Sequence, residues 1–430
     1  MLALEMHEER IADTYRDFAK AIGESRWVRV AADRRNEAKA NQFLSDYFDR
    51  EFDIVFQLDR LGVALRTSGS LASLRSDPRA IYGAAGFMAQ ILSLLAYWPT
   101  TNADYLRQRV RNALRKPSDM RALRLELSVA MHFLHRGWSV SWPEVLHFPG
   151  ETFDLLVDQV GACPLEVECK SVGEDKGRRI PRHEVLDFYK LLQPHLKPTL
   201  AGLRTGLSVA MTVPRRLPEL HEDRVVLAQR LGQAIFQSTS CTLSDGTDIR
   251  ISDFDATLLG EEPTTKQPHE LRRTIEGVTA TRNSPAVLVG GRAGGAIALA
   301  VQSGLDDLFL KATFDTLSDA ASHQLTGKRA GMLIAAFDGI GAEELRSLAA
   351  DDNSGREAPS ALQRSASRFL ESNARDHVVG LAFLSRSSVQ SGDDDDLVDA
   401  TGGVAYTFPK RESPLWHNAF SGLFAERSKG

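Results

Sequence analysis

The chain has 430 residues, 43% of them hydrophobic and 25% charged, with 32 glycines and 17 prolines. That composition excludes a fibrous or disordered protein, and the length suits about two or three compact units. A formal net charge of -5 supplies no overall attraction for nucleic acid, so any such binding must use a local basic surface.

Cys163, Cys169 and Cys241 are too few for a disulfide framework and lack C-x-x-C pairing, which suits a reducing compartment. The opening MLALEMHEERIADTYRDF is charged almost at once and carries no apolar export segment, so a cytoplasmic setting is expected. Residues 1–116 are expected to form a mostly helical accessory region, with helices near 5–22, 35–58, 80–97 and 102–115. The stretch 53–67 is open between helix and strand. IYGAAGFMAQILSLLAYW, from Ile81 to Trp98, is at the short limit for a membrane span and is read as a buried helix; no membrane contact is expected. Arg107, Arg109, Arg111, Arg115 and Lys116 crowd the last helix and its exit. A solvated helix face explains them, with a phosphate-contacting surface as the alternative.

From Ser118 the pattern becomes regular. Ser118 suits an N-cap, and a helix to about Arg136 should stop at Gly137. Strands are expected at 138–142, 153–158 and 164–172, with Gly161 in the turn between the last two. A helix at 182–197 and a buried strand at 206–213 follow. The order helix, three strands, helix, strand predicts an α/β core, residues 117–255, built on a mixed sheet flanked by helices. A helix at 219–237 and a hairpin about Asp245-Gly246 complete that region. After a polar, proline-bearing stretch at 254–284, residues 256–430 form a further α/β region. Its apolar runs PAVLVGG, AIALAV, RAGMLIAAF, HVVGLAFLS and GGVAYTF read as strands, with helices near 306–325 and 357–374. This region is either a second small domain or an extension of the core sheet.

The chemistry lies in FDLLVD and PLEVECKSV. Period two puts Glu166, Glu168 and Lys170 on one face of their strand, while Leu165, Val167 and Cys169 share the other. On the neighbouring strand Phe153, Leu155 and Val157 face one way, leaving Asp154 with Leu156 and Asp158. A carboxylate among buried leucines is costly unless it is paired or holds a metal. Glu126 falls within or beside the apolar stripe Leu123, Leu127, Ala130, Met131, Leu134 of the preceding helix. Asp154 and Glu168 are therefore candidates to hold Mg²⁺ or Mn²⁺ through oxygen, with the carbonyl of Cys169 as a further donor and Glu126 holding a water or a second ion. Lys170 is placed to orient or help deprotonate an attacking water and to stabilise charge on a phosphate.

This arrangement resembles the PD-(D/E)xK, or restriction-endonuclease-like, nuclease superfamily, in which a helix glutamate precedes an aspartate-bearing strand and then a strand carrying (D/E)-x-K. By resemblance Asp154 matches the metal-binding aspartate, Glu168 and Lys170 the E-x-K pair, and Glu126 the helix acid, over residues 118–213. Phe153 stands where the family name has proline. Glu166 is an additional carboxylate, open between a more distant ligand and an ion-pair partner for Lys170. Downstream, Lys176, Arg178, Arg179 and Arg182 are candidate contacts to a nucleic-acid backbone.

The resemblance implies metal-dependent hydrolysis of nucleic acid, DNA before RNA, and a role in restriction, phage defence or DNA processing. The alternatives are a non-catalytic binding or interaction module on the same fold, or an RNA nuclease. The flanking regions could select substrate, bind a partner protein or form a homo-oligomer. GGRAGG at 290–295 lacks the Lys and Ser or Thr of a phosphate loop, and His132 and His135 lack the H-E-x-x-H spacing of zinc proteases. SGDDDD at 391–396 lacks the alternating ligands, glycine and terminal glutamate of a calcium loop and is read as solvated.

Overall fold

The computed structural model describes residues 5–71, 74, 79–97, 100–143, 152–160, 164–259, 268–281, 284–354, 358–385, 388–391, 397–402 and 405–424. Gly161, expected in a turn, and Asp393 to Asp396 of the acidic run lie outside them. The strands in chain order are β1 (Glu5–His7), β2 (Ser139–Ser141), β3 (Leu155–Asp158), β4 (Leu165–Val172), β5 (Gly206–Val213), β6 (Cys241–Thr242) and β7 (Asp248–Phe254). They continue with β8 (Ala286–Gly290), β9 (Ala296–Ser303), β10 (Gly331–Phe337), β11 (Val378–Ser385), β12 (Ser388–Ser391), β13 (Leu397–Gly402) and β14 (Ala405–Pro409). The chain divides into two compact units: residues 1–33, 51–176 and 310–430 form the first, and residues 34–50 and 177–309 the second.

The first unit begins with helices, but the single one expected at 35–58 is replaced by separate helices Ser25–Ala40, Ser45–Glu51 and Asp53–Ser68, and residues 34–50 belong to the second unit. Asp53–Ser68, left open to strand in the sequence, is helical, and Gly69 ends it at φ 66°. Ile54, Val55, Phe56, Leu58, Leu61 and Ala64 are all buried. A helix covered on most sides shows a nearly continuous apolar run, and its 3.6-residue period is correspondingly faint. The apolar helix Arg79–Tyr97 packs Ile81, Ala84, Ala85, Met88 and Ile91 into the core. Among the described residues no helix is long and apolar enough to cross a membrane.

The helix that carries Glu126 spans Pro117–His135. It starts two residues before the expected point: Pro117 occupies the first helical position, where its missing N–H costs nothing, and Lys116 takes the cap. Ser118 is thus inside the first turn, its hydroxyl bonded to Asp119. The other end is as expected. Gly137 adopts φ 84°, and the Trp138 amide donates back to the Phe133 carbonyl at 3.2 Å, closing the helix through a left-handed glycine.

A six-stranded sheet in the order β14-β11-β10-β4-β3-β2 follows. β2, β3 and β4 form an antiparallel meander, β4, β10 and β11 run parallel, and β14 is an antiparallel edge. β4 is central, and Leu165 through Cys169 are buried on both faces. Here one expectation is corrected: β5, expected in the same core sheet as β2 to β4, is not part of it, and the strand beside β4 is β10. β5 lies in the second unit, in the sheet β6-β7-β5-β9-β8, where it pairs parallel with β9 and antiparallel with β7. The three runs GLSVAMTV, AIALAVQS and GMLIAAF are each apolar on both faces, as parallel strands covered by helices must be. Hydrophobicity alone assigns none of them a neighbour.

The helix Phe309–His323 and β10 therefore complete the sheet begun by β2 to β4, after residues 177–309 have been laid aside as a separate unit. Phe314 meets Phe369 and Phe383 in that core, and Phe337 stacks on Phe383 at 5.3 Å. A three-stranded sheet of β1, β13 and β12, which the sequence does not announce, belongs to the same unit.

In the second unit, Asn41 bonds the Leu186 carbonyl and Asp187, and Phe43 meets the buried ring of Tyr189. The expected hairpin joins β6 to β7, with Gly246 at φ 83° and the Thr247 amide held by Asp245. GGRAGG is the β8–β9 turn, closed by the Gly291 amide donating to the Gly295 carbonyl at 2.7 Å.

Candidate active site

The site is assembled where the β3–β4 ladder ends. Leu155 pairs with Val167 and Leu156 with Glu166, so the next step of the register sets Asp154 opposite Glu168. At that step carboxylates replace the backbone ladder. The Asp154 amide donates to Glu168 Oε2 at 3.2 Å, and the Cys169 amide donates to Asp154 Oδ2 at 2.8 Å. Lys170, two residues along the same face, donates from Nζ to Glu168 Oε1 at 2.6 Å. The helix Pro117–His135 packs on β4 and brings Glu126, which pairs with Arg109 from the helix Thr100–Ala113.

Burial grades these groups. Glu168 is 1% exposed and Glu126 3%, Asp154 is half-buried, and the Lys170 side chain keeps 23% of its surface open. Desolvation, reinforced by the neighbouring charge of Asp154, pushes the Glu168 carboxyl up to about 8, against the opposing pull of Lys170; Glu126 adds a smaller repulsion. Burial acts to lower the Arg109 guanidinium, but the Glu126 carboxylate outweighs it and holds the cation charged. Burial, then Asp154, raises the Cys169 thiol well above its ordinary value, so its sulfur is a neutral core group and no thiolate ligand.

Among the described residues no set of three or more His, Cys, Asp or Glu side chains is arranged to hold a metal ion. Asp154 and Glu168, opposite each other at the end of the ladder, supply two carboxylates. That set fits a hard, well-hydrated cation such as Mg²⁺, which is commonly held by one or two carboxylates and keeps several waters. It does not fit zinc, whose structural sites enclose the ion in four N or S donors. The Glu168 carboxyl, raised by burial beside a second acid, is the group whose charge such a cation would offset.

Glu166 is drawn elsewhere. Fully buried, it accepts from the Thr326 amide at 2.8 Å, from the Thr326 hydroxyl, and from Arg329 Nε at 2.9 Å. Arg329 also lies over the Phe153 ring, 5.5 Å from its centroid. Of the two roles open to Glu166, ion pairing is the one observed, but its partner is Arg329 and Lys170 belongs to Glu168. Lys176 donates its amide to Gly173 in a turn of the first unit. Arg178, Arg179 and Arg182 belong to the second unit, where Arg178 is 8% exposed and paired with Asp307 at 3.7 Å. Arg179 bonds Asp307 and the Asp306 carbonyl there, and Arg182 opens the helix Arg182–Gly202.

Arg109 is the residue that sequence reasoning did not bring to the site. Its basic neighbours diverge: Arg107 pairs with Asp104 on its own helix, and Arg111 donates to the Ile22 carbonyl. The available signal was spacing, since Leu106, Val110 and Ala113 are buried and Arg109 is adjacent to that stripe. No protein-family model, curated protein or solved structure matches the chain.

Proposed function

We propose that the first unit is a metal-dependent nuclease of the PD-(D/E)xK kind that hydrolyses phosphodiester bonds in DNA. The observation that carries this reading is the placement of two carboxylates at the end of the β3–β4 ladder, Glu168 on the Asp154 amide and Asp154 on the Cys169 amide, with Lys170 on the Glu168 carboxylate. The chain order supports it too: a helix bearing Glu126, three antiparallel strands, the helix Phe309–His323, and β10 parallel to β4.

Asp154 and Glu168 would hold the cation, with the Cys169 carbonyl as a further oxygen donor. When bound, Mg²⁺ or Mn²⁺ lowers the pKa of a coordinated water and offsets charge on the scissile phosphate. Lys170 orients the attacking water by donating to it and, on leaving Glu168, places its positive charge beside the phosphate oxygens. Glu126, buried and held by Arg109, fixes a water from the helix side. A merely structural metal site would not need the part-exposed lysine.

The test is incubation of wild type, Asp154→Ala, Glu168→Ala and Lys170→Ala with linear and circular double-stranded DNA, single-stranded DNA and RNA, in Mg²⁺, Mn²⁺ or EDTA. Metal-dependent DNA cleavage lost in all three folded variants is expected. Equal cleavage by wild type and the three variants removes this site from the reaction, and RNA-only cleavage moves the substrate class.

A further inference from the structure

The guanidinium of Arg109 is singular among the charged groups of the site. Its Nη2 donates to the buried Glu126 carboxylate, and among the described residues that is its one hydrogen-bond partner. A guanidinium carries five N–H donors in a rigid fork. The remaining donors of Arg109 are not buried without partners, and a quarter of the side chain is exposed. Glu126 is 3% exposed, on the helix Pro117–His135, and its carboxylate engages one donor of the fork. The Asp154 carboxylate is within electrostatic range of the same cation.

We propose that Arg109 is a phosphate anchor of this site, binding a non-bridging oxygen of a DNA phosphodiester through the donors that Glu126 leaves open. The assignment rests on the nuclease reading and extends it to a residue of the amino-terminal helices. A carboxylate-tethered guanidinium suits this task because one edge is spent on orientation while the other meets the oxyanion, and a fork matches phosphate geometry better than an ammonium does. The tether also explains why Arg109, alone among Arg107, Arg109 and Arg111, turns to this glutamate: Arg107 is spent on Asp104 and Arg111 on a backbone carbonyl.

The experiment measures binding of a labelled DNA duplex by fluorescence anisotropy across a salt series in Mg²⁺, in a Lys170→Ala background that does not cleave. Arg109→Gln alone strands a buried carboxylate, so Arg109→Gln/Glu126→Gln is compared beside it; the double variant removes both charges and keeps the fold. Both are expected to bind about tenfold more weakly, with the slope of log affinity against log salt reduced by about 1. Arg109→Lys should keep the slope and recover only part of the affinity, having the charge without the fork. Unchanged affinity and slope in the double variant overturn the assignment of Arg109 alone and leave it as the counter-ion of Glu126. Absence of DNA binding by the parent protein overturns this assignment together with the nuclease reading.

Discussion

The backbone amide of Asp154 donates to the carboxylate of Glu168 across the open end of the β3–β4 pair, 3.2 Å from nitrogen to oxygen. One acid is thereby positioned by the other's main chain, and the Cys169 amide returns the favour to Asp154 at 2.8 Å. Burial first, and the neighbouring Asp154 charge second, raise the Glu168 carboxyl to about 8.

Cation binding should therefore depend on pH. Below about 8 the ion must displace the Glu168 proton, and above it the carboxylate is already free to bind. Calorimetric titration of Mg²⁺ or Mn²⁺ in buffers of different ionisation enthalpy is expected to show affinity rising with pH, and proton release per ion falling as pH passes 8. Constant affinity across that range, with no proton release, would contradict the assignment of Glu168 as a ligand.

The same shift makes a statement about folding. Because the folded pKa of Glu168 lies above its ordinary value of 4.5, its contribution is fully present below that value and is lost as pH rises toward about 8. Glu168→Gln removes the ionisation. Denaturant unfolding should thus show wild type losing stability relative to the variant over this window, by on the order of a few kcal/mol. Parallel pH profiles for the two proteins would show that Glu168 ionises normally.

Lys170→Ala is expected to lower DNA cleavage by at least about 100-fold, the scale of a lost proton-transfer or charge-stabilising group. Its fold should survive, since the side chain is part-exposed and its loss leaves Glu168 to stay protonated. Circular dichroism and single-turnover cleavage check the two halves of this expectation. Wild-type turnover in the folded variant would place the chemistry elsewhere.

Glu166 should separate from the site on mutation. Arg329→Ala leaves a fully buried carboxylate with Thr326 as its remaining donor, at a cost of about 3 kcal/mol. Glu166→Gln/Arg329→Met removes both charges and is expected to recover most of that loss, with cation affinity unchanged throughout. Thermal unfolding and metal titration of the three proteins decide it; a loss of metal affinity in the double variant would return Glu166 to the ligand set.

The features legible in the residues alone are local. Alternation in PLEVECKSV put Glu166, Glu168 and Lys170 on one face, because side chains on a strand have period two whatever the partner. Gly137 marked a helix end because the left-handed conformation is open to glycine at little cost. The candidate acids Glu126, Asp154 and Glu168 were legible as charges interrupting apolar patterns, and burial bears out that they are enclosed or half-enclosed.

Which distant segments meet depends on long-range packing. β5 and β10 are both continuous apolar runs, and the choice of β10 as the neighbour of β4 depends on long-range pairing across the second unit. Glu166 and Glu168 are indistinguishable by spacing, yet the loop before β10 supplies Thr326 and Arg329 to the first, while Lys170 and Asp154 belong to the second. Arg109 looked like one cation in a solvated row until the packing of its helix against the next brought it to Glu126. Periodicity fixes the face a side chain occupies; the partner across that face is chosen by contacts between residues far apart in the chain, which no local pattern records.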